Sequence, residues 1–194
     1  SRLQQAAFCL ASSDSAASAL RRHAPGAGRV GVAPPCVDLA VFTPPTELAS
    51  PHTGETADSA VRLVSIGDLE PAQGYRDLLA ALSDMPKATH WRLTHIGRGS
   101  LDEKLREFAQ GLRLHHHITW SGPRDQAGVL KALREADIYV QSPRSMKGPA
   151  GRTALPHAVV EAASQCLPIV STRHASLADF LSNETSALLV RPGR

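Results

Sequence analysis

Short apolar segments alternate with amphipathic ones from residue 61 onward, and this alternation constrains the fold more than any other feature of the sequence. The predicted strands are 61–66, 91–96, 117–120, 137–141, 168–170 and 187–190, and the predicted helices are 74–82, 101–112, 126–135, 155–165 and 175–181. Strands that alternate with helices form βαβ units, whose right-handed crossovers build a parallel sheet. The sequence therefore predicts an α/β fold with a doubly wound, Rossmann-like parallel sheet.

The chain before residue 61 is less regular. Two further strands are predicted at 6–11 and 29–33, and the helix between them starts at the capping cluster Ser12-Ser13-Asp14. Proline, threonine, serine and glycine then dominate without periodicity, which is typical of a linker. The predicted organisation is the end of a preceding domain at 1–33, a linker at 34–60 and a Rossmann-like domain at 61–194. Three apolar linker residues are expected to dock, namely Val37, Leu39 and Phe42.

The composition argues against several classes of function. The net charge is only +3, lysine and arginine are scattered, and aromatic residues make up 4%. This pattern argues against nucleic-acid binding and favours a small anionic partner. No apolar run reaches the length of a membrane span and no signal peptide is visible, so a cytoplasmic location is expected. Three cysteines without CxxC spacing argue against disulfides, and Cys9 and Cys166 are expected to be buried thiols.

Three loops follow strands of the predicted sheet and contain glycine, serine or proline, at 67–74, 97–100 and 142–153. Ligands of open α/β sheets bind at the carboxyl ends of the strands, where such loops meet. Backbone N–H groups in loops of this kind can approach a phosphate closely. We therefore expect Gly67 and Gly97 to lie at an anion-binding crevice.

Motifs for other ligands are incomplete. Gly97 and Gly99 begin a dinucleotide fingerprint, but its third glycine would fall at Asp102, and no GxxxxGK[ST] phosphate loop occurs. The three adjacent histidines at 115–117 cannot all converge on one ion without strain. We therefore expect neither a bound dinucleotide nor a metal site.

The predicted helix 155–165 carries the strongest candidate site. Pro156 suits a first-turn position, and the unpaired N–H groups near Leu155 would form an anion site at the positive end of the helix dipole. Glu161 lies one to two turns further along a mostly apolar helix. Its carboxylate either faces solvent or accepts hydrogen bonds from a ribose diol whose phosphates bind at the helix start. The placement favours the second interpretation.

Six segments of the sequence, taken in order, resemble one protein family. They are SSDSAASALRRHAPGAGRVGVAPPCVDLAVFTPP, VRLVSIGDLEPAQGYRDLLAAL, HWRLTHIGRGSLDEKLREFAQGLRLHHHITWSG, LKALREADIYVQSP, LPHAVVEAASQCLPIVST and HASLADFLSNETSALLV. Together they resemble the carboxyl-terminal, donor-binding domain of the family 4 (group 1) glycosyltransferases, preceded by the end of the first domain and the linker. That family has the GT-B fold of two Rossmann-like domains. The resemblance implies that this chain is a truncated form centred on the carboxyl-terminal half of a GT-B fold.

The resemblance also implies a function. It is the transfer of a hexose from a nucleoside-diphosphate sugar to a glycan, lipid or small-molecule acceptor, without a metal and with retention of anomeric configuration. The nucleotide sugar is a substrate, so no cofactor is implied, and the acceptor would bind mainly to the missing first domain. Cell-envelope polysaccharide synthesis, with the longer protein associated peripherally with the inner face of the membrane, is compatible with this activity.

Residue roles carry over by resemblance, position by position. Glu161 corresponds to the glutamate that binds the donor ribose, and Thr153 stands where the family has its first signature glutamate. The turn that begins at Ile118 and ends at Gly122 would border the base. The candidate donor-binding residues are Gly67, Asp68, Gln73, Gly97, Ile118, Leu155, Pro156 and Glu161. The candidate catalytic residues are Thr153, at the signature position, and Lys147 and Arg152, two cations of the loop 142–153.

Two positions depart from the family pattern. Asp68 and Gln73 stand where the family has an arginine and a lysine that neutralise the leaving diphosphate. Either the basic residues of the loop 142–153 supply the missing charge, or the protein has lost transfer activity and retains only nucleotide-sugar binding. A sugar-nucleotide epimerase of the same fold is a third alternative. The basic residues in question are Arg144, Lys147 and Arg152.

Overall fold

A computed structural model describes residues 5–23, 28–47, 52–144 and 156–192. The strands are β1 (Phe8–Ala11), β2 (Arg29–Val32), β3 (Val61–Ile66), β4 (Trp91–Ile96), β5 (Ile118–Trp120), β6 (Ile138–Gln141), β7 (Ile169–Thr172) and β8 (Leu188–Val190). The α-helices are α1 (Asp14–His23), α2 (Tyr75–Ser83), α3 (Asp102–Gly111), α4 (Gln126–Glu135), α5 (His157–Ser164) and α6 (Ala175–Ala178). No helix within these described ranges is long and apolar enough to cross a membrane.

The strands from β3 to β8 form one parallel sheet in the order β5-β4-β3-β6-β7-β8. Successive residues of a strand point to opposite faces of the sheet. Leu63 accordingly packs in an apolar cluster with α2 and α3, whereas Val64 packs in another with α4 and α5. Helices therefore cover both faces, and the predicted α/β fold with a parallel, Rossmann-like sheet is confirmed.

A short ladder joins the two halves of this sheet. Strand β3 registers with β4 along its whole length, from Val61 to Ile66, but it registers with β6 only at Leu63 and Val64. The chain runs outward from β3 to β5 and then returns to β6 on the other side of β3. The point where strand order reverses is the place at which open α/β sheets bind their ligands.

Strands β1 and β2 pair in a separate two-stranded parallel sheet, next to α1. The backbone N–H of Ser15 in α1 donates a hydrogen bond of 3.0 Å to the carboxylate of Asp179, which directly follows α6. This hydrogen bond lowers the pKa of Asp179. The two sheets are thus connected through the first and last α-helices.

Phe42 anchors the segment between the two sheets. Its side chain is 1% exposed in the apolar cluster shared with α4 and α5, and the Gln165 side chain donates a hydrogen bond of 3.2 Å to its carbonyl oxygen. Val37 packs against the same cluster, whereas Leu39 is 58% exposed. The docking prediction is therefore confirmed for Phe42 and Val37 and wrong for Leu39, because Leu39 lies in a turn that the Asp38 side chain stabilises.

Two details around α5 differ from the predictions. Pro156 precedes the helix as its N-cap, with φ −65° and ψ 133°, and is not part of its first turn. Cys166 is exposed instead of buried, and Cys9 is half-buried. Cys166 has a φ of 58°, because the chain reverses direction there to enter β7 and takes the left-handed conformation that commonly ends helices.

Candidate functional site

The loops that follow β3, β4 and β6 lie side by side at the carboxyl edge of the sheet. The backbone N–H of Gly67 donates to the carbonyl of Ile96 at 3.0 Å, and that of Arg144 donates to the carbonyl of Ala72 at 2.8 Å. The structure therefore brings together the loops 67–74 and 97–100 and the described start of the loop 142–153. We call this region the crevice.

Gly67 and Gly97 meet back to back in the crevice. Their φ angles are 154° and 140°, in a region that other residues rarely adopt. A Cβ on Gly97 would lie 2.0 Å from the carbonyl oxygen of Gly67, which no side chain could tolerate. Among the described residues, a Cβ on Gly67 would meet only the hydroxyl of Tyr75, at 3.1 Å. The backbone at Gly67 is therefore open to the approach of a ligand group.

Glu161 lies in the middle of α5 and is half-buried. Burial raises the pKa of its carboxyl group, against a smaller opposing effect of His157. No described residue forms a hydrogen bond or ion pair with this carboxylate. The pKa of Tyr139 is raised mainly by burial, then by Tyr75 and by the charge of Glu161. The hydroxyl of Tyr139 lies 3.4 Å from the carbonyl oxygen of Ile66. The carboxylate thus retains its acceptor capacity close to the switch point of the sheet.

Asp68 and Gln73 belong to the loop after β3 and give it no positive charge. Asp68 is exposed, and no described cation pairs with it. Its negative charge adds to the effect of burial in raising the pKa of Tyr75. Gln73 is half-buried, and its carbonyl oxygen accepts a hydrogen bond of 3.3 Å from the hydroxyl of Ser142. This loop therefore offers a ligand no cation.

Arg144 is engaged away from a ligand position. Its Nε and Nη2 atoms donate to the two carboxylate oxygens of Asp77, each at 2.6 Å, and these hydrogen bonds lower the pKa of Asp77. Asp77 lies in the first turn of α2. Of the three cations expected to replace the missing basic pair, Arg144 is therefore neutralised by α2, and Lys147 and Arg152 lie outside the described residues.

Arg98, in the loop after β4, is a cation without such a partner. Its guanidinium lies 3.4 to 4.0 Å from the position that a Cβ on Gly122 would occupy, and no described residue forms an ion pair or hydrogen bond with it. Nearby Arg124 instead donates two hydrogen bonds, of 3.1 and 2.9 Å, to the hydroxyl of Ser121. Arg98 can therefore direct positive charge to a ligand beside the turn after β5.

The remaining predicted site residues are not all in the crevice. Ile118 begins β5, is 7% exposed and packs in the cluster with α2 and α3, so its side chain cannot border a base. The first residue of a parallel strand lies away from the carboxyl edge, and Gly122 occupies the crevice end of that segment instead. Thr153 and Leu155 lie outside the described residues. Within the described ranges, no group of His, Cys, Asp and Glu side chains could hold a metal.

Sequence analysis misses a buried polar pair beneath the two glycines. Ser65 and His95 are 0% and 1% exposed and share a hydrogen bond of 2.9 Å. Burial lowers the pKa of His95 to about 4, so its imidazole is neutral near pH 7. The His95 Nε2 atom has no partner among the described residues, and the ring lies edge-on to Tyr75. The available signal was the occurrence of polar residues in otherwise apolar strands.

The sequence profile of one family, described as Glycosyl transferases group 1, matches residues 54–194. This range contains all six strands of the larger sheet, Glu161 and both crevice glycines. The chain belongs to the group 1 glycosyltransferase family. The resemblance deduced from the sequence is thereby confirmed. A comparison with curated proteins finds no match.

Several solved structures share the fold of this group 1 glycosyltransferase chain over part of their length. It is similar to the lipopolysaccharide outer core galactosyltransferase WaaB in its apo form (TM-score 0.70, 20% identity), covering 96% of this chain and 49% of that one. It is also similar to sucrose-phosphate synthase from Thermosynechococcus elongatus (TM-score 0.79, 19% identity), covering 99% of this chain and 47% of that one. A third similar structure is Anabaena HepE in complex with UDP and glucose (TM-score 0.73, 17% identity), with coverage of 96% of this chain and 50% of that one. The chain spans about half the length of these proteins and shares the GT-B fold over that part.

Proposed function

We propose that this chain is the donor-binding part of a glycosyltransferase that transfers a hexose from a nucleoside-diphosphate sugar to a glycan, lipid or small-molecule acceptor. The half-buried carboxylate of Glu161, which has no described partner, carries the proposal. Burial raises the pKa of this carboxyl group, so hydrogen bonds from ligand hydroxyl groups would stabilise its charged form. Membership of the group 1 family supports a nucleotide sugar as this ligand.

Each part of the donor would meet a different element of the crevice. The ribose diol would donate hydrogen bonds to Glu161. The diphosphate would bind between the open backbone of Gly67 and the start of α5, where N–H groups and the helix dipole favour an anion. Arg98 would add positive charge near the turn at Gly122. The similarity to Anabaena HepE, a protein solved in complex with UDP and glucose, supports this choice of donor.

The proposed reaction exchanges one bond to the anomeric carbon for another. The bond to the diphosphate oxygen breaks, a bond to the acceptor oxygen forms, and the proton of the acceptor hydroxyl passes to the departing diphosphate. Negative charge develops on the departing diphosphate, so nearby cations lower the barrier. By family resemblance the reaction retains the anomeric configuration and needs no metal. Thr153, at the family's signature position, and the loop cations Lys147 and Arg152 are proposed for the reacting side of the site.

Partners and location complete the proposal. The donor is the partner of this chain, and a glycan or lipid-linked acceptor would bind mainly to the part of the protein that corresponds to the other half of its structural relatives. A cytoplasmic site of action, at the inner face of the membrane for a lipid-linked acceptor, fits a role in cell-envelope polysaccharide synthesis.

A second candidate function is nucleotide-sugar binding without transfer. Asp68 favours it, because a carboxylate in the loop after β3 repels the diphosphate where the family has a stabilising cation. The ion pair between Arg144 and Asp77 points the same way, since it removes one candidate replacement. Under this alternative the crevice would bind the donor, and no sugar would be transferred.

Isothermal titration of the chain with UDP and with GDP tests the proposal. We expect the wild type to bind at least one of them, and Glu161→Ala to weaken that binding about tenfold or more, because a charged hydrogen-bond acceptor is lost. Glu135→Ala is the matched control, since Glu135 is an exposed carboxylate on α4. Equal affinities of the wild type and Glu161→Ala would remove Glu161 from the site.

Turnover assays separate the candidate functions. Sugar transfer by the protein supplied with donor and acceptor supports the glycosyltransferase. Nucleotide-sugar binding with no turnover under the same conditions supports the binding module. Interconversion of the donor in the absence of any acceptor would instead identify an epimerase.

A further inference from the structure

Tyr75 is the first residue of α2, and its side chain is held beneath the crevice. The residue is 5% exposed, and it directly follows Gly74, which has a φ of 65° at the start of the helix. Its ring packs edge-on against His95, with the ring centroids 4.7 Å apart. Packing, and not a hydrogen bond, therefore fixes the position of the Tyr75 hydroxyl.

This hydroxyl ends in the open space beside Gly67. It lies 3.1 Å from the position of a Cβ on Gly67, and no other atom of the described residues, apart from Gly67 and its two chain neighbours, lies within 4 Å of that position. No described residue forms a hydrogen bond with it. The hydroxyl of Tyr139, in contrast, lies 3.4 Å from the carbonyl oxygen of Ile66 and 3.3 Å from Oε1 of Gln141. A ligand oxygen that approaches Gly67 from this side thus comes within reach of a donor that has no partner among the described residues.

The chemistry of this position suits a phosphate oxygen. Burial and, secondly, the charge of Asp68 raise the pKa of Tyr75, so the phenol stays protonated and can donate. Hydrogen bonds to an anionic oxygen are stronger than those between neutral groups. The loop after β3 contains no cation, so directional donors must contribute much of the attraction for an anion there.

We propose that Tyr75 is a diphosphate-binding residue, whose hydroxyl donates a hydrogen bond to a phosphate oxygen of the nucleotide held at Gly67. The assignment rests on the proposed function, which supplies the nucleotide. It gives α2 a role in donor binding that depends on its first side chain. A neutral donor from α2 then replaces part of the anchoring that positions 68 and 73 do not provide.

The test is isothermal titration of the chain with UDP, GDP and the corresponding UDP- and GDP-sugars. Tyr75→Phe removes only the hydroxyl and keeps the ring against His95, so the melting temperature should stay within about 2 °C of the wild type. We expect Tyr75→Phe to weaken the nucleoside diphosphate and its sugar derivative by the same factor, about tenfold. Tyr139→Phe is the matched control, because the Tyr139 hydroxyl already has protein partners, and its affinities should equal those of the wild type.

Several outcomes would overturn the assignment. Unchanged affinity in Tyr75→Phe would exclude the hydrogen bond, and a loss confined to the sugar nucleotide would place the hydroxyl against the sugar. Equal losses in both Tyr→Phe variants would indicate a general loosening of the fold. Failure of the wild type to bind any of these nucleotides would contradict the proposed function and this assignment with it. If Glu161→Ala bound like the wild type while Tyr75→Phe did not, the role of Tyr75 would stand and that of Glu161 would fall.

Discussion

The guanidinium of Arg144 and the carboxylate of Asp77 form a bidentate ion pair across 67 positions of sequence, with both N–O distances at 2.6 Å. The pair joins the start of the loop after β6 to the first turn of α2. Side chains of Arg144 and Asp77 are 50% and 41% exposed, so water screens their attraction, which contributes less than about 1 kcal/mol. The main effect of the pair is therefore to hold the positive charge of Arg144 against the first turn of α2.

Asp77→Asn should strengthen anion binding at the crevice. The substitution removes a negative charge and releases Arg144, so we expect the affinity for UDP or GDP to rise about two- to fivefold in low salt and the gain to shrink as salt is added. Asp84→Asn, at the opposite end of the same helix, should change the affinity little. Titration calorimetry at two ionic strengths checks this, and a weaker affinity in Asp77→Asn would show that the ion pair positions the crevice instead.

Gly97→Ala should destabilise the protein by more than about 2 kcal/mol, because its new Cβ would lie 2.0 Å from the Gly67 carbonyl oxygen in a strained backbone region. Gly111→Ala provides the comparison, since a Cβ there meets nothing within 4 Å. In the last turn of α3, alanine should stabilise by a few tenths to about 1 kcal/mol. Urea unfolding measures both changes. A Gly97→Ala protein as stable as the wild type would mean that the two loops are not in contact.

His95 should make the protein less stable as the pH falls from about 6.5 to about 4. Burial lowers the pKa of this imidazole from 6.5 to about 4 in the folded state, so between these values the unfolded chain binds the proton more readily. The full shift sets an upper limit of about 3 kcal/mol on the loss. His174, whose pKa is also lowered by burial, adds to the loss in the same direction.

Free energies of unfolding, measured in urea at several pH values, check this effect. His95→Gln should flatten the decline between pH 6.5 and 4, whereas His115→Gln should leave it unchanged because His115 is exposed. An identical decline in the wild type and His95→Gln would contradict the assignment.

Phe42→Ala should lower the free energy of unfolding by about 3 to 5 kcal/mol, because the ring is 1% exposed in the core shared with α4 and α5. Leu39→Ala, three residues earlier, should change it by less than about 0.5 kcal/mol, since Leu39 is 58% exposed. Chemical denaturation of the two variants measures the difference. Similar stabilities would mean that the segment between the sheets does not depend on this ring.

Periodicity in the sequence was sufficient to predict the larger sheet. The bounds of β3, β4 and α4 agree with the predicted ones, because each is a short run of regular pattern between glycine, proline or polar residues. Glu161 could also be placed, since an acidic residue stood out in an apolar helix. Its half-buried position was one of two alternatives that the sequence left open.

Contacts between distant residues could not be predicted in this way. The engagement of Arg144 by Asp77 and the approach of Tyr75 to Gly67 depend on how loops and helices pack after the sheet has formed. Leu39 and Cys166 show the same limit on a smaller scale. Both are apolar residues that the pattern places inside, and in both cases a local turn directs the residue to the surface.

The register between β3 and β6 ends at Val64 and Tyr139, before either strand does. A ligand that binds between the carboxyl ends of the two strands would not have to break hydrogen bonds between them. Its measured affinity would therefore include no cost of separating these strands.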